Sequence, residues 1–196
     1  MRLPTRAFAQ VLMLAAAHAQ DGFTPYVDAG LGRGHLQTHC GQAQHCDRGS
    51  AGLLLGAGLL MPRSVADGQL ALEFRWLKTN AYVLTSPTLS ASLKAEAPML
   101  GVTWWRPLAP AWRVGLGGGL AHMSVEARLT AQGGQVALLR DRRTQAYGMA
   151  SLQMTMTPTT RLQATVLGSR LRFDDSAIDL HQGRLTQLTL GLSHAF

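Results

Sequence analysis

The sequence predicts an all-β chain folded as an eight-stranded antiparallel transmembrane up-and-down β-barrel. Three observations lead there. Apolar residues alternate with small or polar ones in eight separate segments, the connections between those segments alternate between short and long, and an export signal precedes a chain with no later apolar run long enough for a helical span. A chain of this kind enters a membrane only by closing on itself, because in lipid only helices and closed barrels satisfy every backbone group.

The export signal occupies residues 1–19. Arg2 and Arg6 precede an apolar stretch from Ala7 to Ala17, and Ala17-His18-Ala19 supplies the small residues of a cleavage site. The stretch falls well short of the ~20 residues of a spanning helix, which argues against an anchor. Cleavage leaves residues 20–196 as one barrel domain, and the loss of two arginines takes the formal charge from +7 to +5. With 46% hydrophobic residues, 15% charged residues and 21 glycines, the composition suits strands of which only one face is apolar. The length accommodates eight strands of about ten residues with their turns and little more.

The first strand, about Thr24 to Gln37, sets Val27, Ala29 and Leu31 against Asp28, Gly30 and Gly32. The second, about Gly49 to Leu60, carries Leu53, Leu55, Ala57 and Leu59 on one face and Gly56 and Gly58 on the other. In the third, about Gln69 to Thr79, Leu70, Leu72, Phe74 and Trp76 oppose Glu73 and Arg75. The fourth, about Leu93 to Trp105, has Leu100, Val102 and Trp104 outward, with Pro98 at an irregular ladder position. The fifth, about Trp112 to Arg128, alternates Trp112, Val114, Leu116 and Leu120 with Arg113 and three glycines. The sixth, about Thr144 to Met156, turns Gln145, Tyr147, Ser151 and Gln153 inward. The seventh, about Arg161 to Phe173, does the same with Gln163, Thr165 and Ser169. The eighth ends the chain, with Leu188, Leu190, Leu192, His194 and Phe196 on one face.

Proline marks three short turns, at Met61 to Ser64, Pro107 to Pro110 and Pro158 to Thr160. Longer polar loops are expected near 38–48, 80–92, 129–143 and 174–183. This is the asymmetry of a transmembrane barrel with its long loops outside the cell. A soluble barrel or sandwich is the competing fold, and it would turn the apolar faces inward.

The terminal aromatic Phe196, closing an alternating strand, resembles the assembly signal of bacterial outer-membrane barrels. So does the paired-cysteine loop from Cys40 to Asp47, followed by the glycine-rich second strand and Leu72-Glu73-Phe74. Over residues 20–196 the chain is similar to the eight-stranded transmembrane domain of outer-membrane protein A and its relatives. The peptidoglycan-binding domain of that protein is not part of the likeness. The resemblance implies a Gram-negative outer-membrane location, insertion by the barrel-assembly machinery through the C-terminal strand, and a structural or surface-interaction role. No cofactor, no nucleic-acid partner, no enzymatic activity and a monomeric state are expected.

Eight strands leave an interior that side chains fill. The inward set of Asp28, Glu73, Arg75, Arg113, Gln145, Tyr147, Gln153 and Arg161 is expected to pair internally, since buried charges require partners. The alternative is a small porin. Cys40 and Cys46, the two cysteines, are expected to form a disulfide in an oxidising compartment; a metal site using His39, Cys40, His45 and Cys46 is the rival. His122 and Ser124 share an outward face and resemble the His-x-Ser pair of lipid A deacylases, an esterase alternative. Against it, Val125 replaces the asparagine of that pattern, and Glu126 lies about 13 Å along the strand from His122, too far to orient it. Strand parity also brings a basic residue to the outward face near each long loop on seven strands: Arg33, Lys78, Lys94, Arg128, Arg142, Arg170 with Arg172, and Arg184. This rim is expected to face lipopolysaccharide phosphates.

Overall fold

The computed structural model describes residues 22–37, 45–46, 49–85, 89–131, 134, 136–171 and 183–196. The strands are β1 (Thr24–Gln37), β2 (His45–Cys46), β3 (Gly49–Val65), β4 (Gly68–Thr79), β5 (Tyr82–Thr85), β6 (Leu89–Ala109), β7 (Trp112–Ala131), β8 (Val136–Thr155), β9 (Thr160–Leu171) and β10 (Gly183–Ala195). Eight of them form a ring of antiparallel neighbours in the order β1, β3, β4, β6, β7, β8, β9, β10. The first and last strands close it, from Tyr26 opposite Ala195 to Gln37 opposite Arg184. At the long-loop end β5 adds to β6 and β2 adds to β5.

Closure without an edge leaves side-chain polarity to decide which face meets the surroundings. Leu31, Leu100, Leu116, Leu120, Leu188 and Leu190 are 52–70% exposed on the outer wall. At about 25 cal/mol per Å² such a belt is costly in water and favourable in lipid. The soluble alternative is excluded by what lies inside: Asp28, Glu73, Arg75, Gln153 and Gln163 are buried in the barrel.

The strand ends differ from the sequence expectation in three places. Segments 80–92 and 129–143 are strand over most of their length rather than loops, because β6, β7 and β8 run on past the apolar belt and remain paired, Leu89 to Ala131 and Thr130 to Val136. Outside lipid the ladder persists while the demand for alternating apolar residues lapses, so the pattern that marks a strand fades before the strand ends. The turn expected at Met61 to Ser64 is instead an irregularity inside β3, where the register to β4 shifts between Leu60 and Ser64. The chain reverses at Ala66-Asp67, both with positive φ (49° and 60°), as a two-residue hairpin of the primed kind requires. Pro98 sits opposite Trp76 on β4, and on its other side the ladder to β7 skips Ala97 and Pro98 and resumes in the same register.

Inside, two apolar clusters enclose a charged layer. Toward the long-loop end Leu36, Leu54, Leu77, Tyr82, Leu93, Met99, Met123, Leu167 and Leu185 pack together. Toward the short turns lie Tyr26, Leu60, Ala71, Trp105 and Ala195.

Candidate functional site

The charged layer is built by three strands, and β3 makes it possible by having no side chains there. Register places Asp28, Gly56 and Arg75 in one row across β1, β3 and β4, and Tyr26, Gly58 and Glu73 in the next. A Cβ on Gly56 would stand 2.4 Å from Asp28 Oδ1, and one on Gly58 would stand 2.4 Å from the Tyr26 ring. With glycine at both positions, Asp28 and Tyr26 reach across β3 to β4. Arg75 then donates from Nη1 to Asp28 Oδ2 at 2.9 Å and from Nε to Glu73 Oε2 at 3.0 Å. Thr103 on β6 donates to the same Glu73 oxygen at 2.7 Å, and the Tyr26 hydroxyl donates to Oε1.

The short-turn end carries cations without carboxylates. Arg113 lies over the Trp105 ring at 4.6 Å and donates to Gln153 Oε1 at 2.6 Å. Gln153 donates to Gln163, which donates to Thr165 at 2.8 Å. Arg161 shares this end of the interior: its Nη1 is buried without a partner among the described residues. Gln145 donates to Met123 Sδ at 3.3 Å, and Tyr147 is buried in the upper apolar cluster. The interior is thus one charged layer, flanked by two apolar clusters and by the Arg113, Gln153, Gln163 and Thr165 chain, rather than a plug of ion pairs along its length. Chemically it can lock strands together; every carboxylate oxygen engaged here is held by a donor from another side chain, save Asp28 Oδ1.

On the outer wall His122 and Ser124 occupy the same face of β7. His122 Nδ1 is 3.1 Å from Thr144 Oγ1 on β8, and Glu126 is held by Arg140, with oxygen to nitrogen distances of 3.0 and 3.1 Å. Glu96, level with Ser124, accepts from Trp76 Nε1 at 3.0 Å. His122 is therefore oriented by a hydroxyl, and neither nearby carboxylate is placed to support it as a base.

Arg33, Lys78, Lys94, Arg128, Arg142, Arg170 and Arg184 all lie exposed on the outer face at the long-loop side of the apolar belt. Arg140 joins them beyond the sequence expectation, its parity on β8 matching that of Arg142. Arg172, His39 and Cys40 lie outside the described residues, as do the side chains of His45 and Cys46, so the disulfide and its metal rival concern positions beyond the description. Among the described residues no group of three His, Cys, Asp or Glu side chains is arranged to hold a metal ion.

Neither a family model nor a curated protein sequence matches the chain. Solved structures do. The attachment invasion locus protein Ail of Yersinia pestis is similar with a TM-score of 0.57 at 14% identity, over 88% of this chain and 98% of that one. The same protein in complex with the heparin analogue sucrose octasulfate gives 0.58 at 14% identity, over 89% and 99%. Neisserial surface protein A gives 0.58 at 16% identity, over 89% and 97%. At this identity the likeness speaks for architecture alone, and it agrees with the ring of strands and the lipid-facing belt: this chain has the fold of the eight-stranded outer-membrane β-barrels.

Proposed function

We propose that the protein is a non-enzymatic integral barrel of a Gram-negative outer membrane, exported with a cleaved signal peptide spanning residues 1–19, and acting through its external loops and its lipopolysaccharide-facing wall. Insertion proceeds through the barrel-assembly machinery, which reads the C-terminal strand and Phe196, and the barrel works as a monomer. The observation that carries this reading is the outer wall itself, an apolar belt capped at the long-loop end by exposed cations on seven of the eight ring strands. A guanidinium at that height meets lipid phosphates bidentately and a lysine meets them as a point charge. The solved complex of Ail with the heparin analogue sucrose octasulfate supports polyanion binding by a barrel of this architecture.

The test is retention of lipopolysaccharide. Replacing Arg128, Arg142, Arg170 and Arg172 with glutamine weakens its co-purification while the folded, heat-modifiable band persists; unchanged retention reduces the rim to solvated strand ends. Lipid A from cells with and without the protein keeps one mass spectrum, and a deacylated product dependent on His122 and Ser124 would replace this reading with the esterase one.

A further inference from the structure

The cationic rim is not uniform. On the β4, β6, β7 and β8 side carboxylates stand among the cations: Glu96 lies opposite Lys78, and Glu126 lies opposite Lys94 and is bonded to Arg140, while Arg128 and Arg142 have Ser92, Leu138 and Ser124 as cross-strand neighbours. On the β9, β10, β1 and β3 side no carboxylate lies on the outer face among the described residues. There Arg170 and Arg184 are direct cross-strand partners on the same exposed face. His35, also outward, sits opposite Thr186, the next outward residue of β10, and Arg33 follows opposite Leu188. Like charges directly opposite each other in a sheet destabilise it, and among the described residues no acid offsets these two facing arginines, so the pair is suited to take an anion.

A space for that anion lies beside them. The β8 to β9 ladder begins at Tyr147 opposite Ser169, and toward the long-loop end the two strands part. A cavity of about 750 Å³ lies in that gap, lined on the outer face by Gly148, Gly168, Arg170 and Arg184 and toward the interior by Tyr147 and Leu185, among others. Its volume is that of a site for a lipid-headgroup-sized ligand. Gly148 and Gly168 are cross-strand partners, and an added Cβ on either would meet nothing within 4 Å. The wall is therefore recessed below the arginines, and Val166, Ala150 and Leu188 continue it with apolar surface.

We propose that Arg170 and Arg184, over the recess between β8 and β9, form a binding site for the phosphate of one acylated lipid, the acyl chain lying along the glycine and apolar wall beneath. The proposal rests on the lipopolysaccharide-facing reading above and assigns it to one side of the barrel. Each guanidinium supplies a charge-assisted bond, worth on the order of tenfold in binding.

The experiment compares lipopolysaccharide retained per folded barrel in three double variants, each checked for the heat-modifiable band. Arg170→Gln with Arg184→Gln is expected to lose at least tenfold, Lys78→Gln with Lys94→Gln less than twofold. Dephosphorylated lipid A is retained by the unaltered protein no better than native lipid is by the arginine variant, and millimolar inorganic phosphate does not displace native lipid. Equal losses in the first two variants overturn the assignment, as does displacement by inorganic phosphate, which would make the site one for the free ion. If Arg128→Gln with Arg142→Gln sheds lipid while the Arg170 and Arg184 variant does not, the assignment alone falls. If none of the three sheds lipid, the lipopolysaccharide-facing wall falls with it.

Discussion

Removing Arg75 should cost this barrel more than removing the carboxylates it holds. Its side chain is fully buried, with contacts of 2.9 Å to Asp28 and 3.0 Å to Glu73, themselves 5% and 1% exposed. Arg75→Met keeps the length of the side chain and strands two buried anions. Two charge-assisted bonds at about 1.5–3 kcal/mol each set the scale, and the cost of breaking a buried pair from one side, about 3–5 kcal/mol, falls within it. We expect a loss of about 4 kcal/mol in urea unfolding of the micelle-reconstituted protein, followed by tryptophan fluorescence. Adding Asp28→Asn and Glu73→Gln to the same variant should restore stability to within about 2 kcal/mol, since a network neutralised as a whole leaves no stranded charge. If Arg75→Met unfolds like the parent, or the triple variant is no better than the single one, the charged layer does not hold the strands as argued.

Gly56→Ala drives a methyl group against the Asp28 carboxylate and should destabilise by about 1–3 kcal/mol as an overpacked site, whereas Gly148→Ala, facing open space, should unfold at the same urea concentration as the parent. Planar bilayers containing the purified protein should show no stable conductance, because Leu54, Leu77, Met99, Arg75 and Trp105 fill the interior; reproducible single-channel steps would revive the small-porin alternative. The mature protein should present no free thiol until reduced, and maleimide labelling of Cys40 and Cys46 in unreduced, metal-stripped samples would overturn the disulfide.

Lipid explains which parts of this fold were legible in the sequence. Where the wall crosses the apolar layer, every second residue must be apolar, and the resulting alternation located all eight ring strands and the parity of Asp28, Glu73, Arg75, Arg113 and Gln153. Outside that layer the requirement ends, so β5, the first residues of β6, the last three residues of β7 and the outer part of β8 carry no strand pattern and look like loop. Pro62 drew the first short turn forward, although Asp67-Gly68 a few residues later carries the stronger turn chemistry. The upper apolar cluster is hidden by the expectation of polar inward positions; Leu53-Leu54-Leu55 and Trp76-Leu77, which break the alternation, are its signal. The rows that let Asp28 and Tyr26 cross β3 depend on register, which no single strand reveals.

The seam between β1 and β10 joins the chain's first strand to its last, and it ends with the Phe196 amide donating to Pro25 at 3.0 Å. Among the described pairings this one spans the greatest sequence separation, so it carries the largest loop-closure entropy and forms slowly. Until it forms, β1 and β10 are two open edges, each a template for a foreign strand. A chain arrested before the seam closes is therefore a molecule of a different kind: an adhesive half-sheet whose fate is decided by whatever strand reaches its edge first.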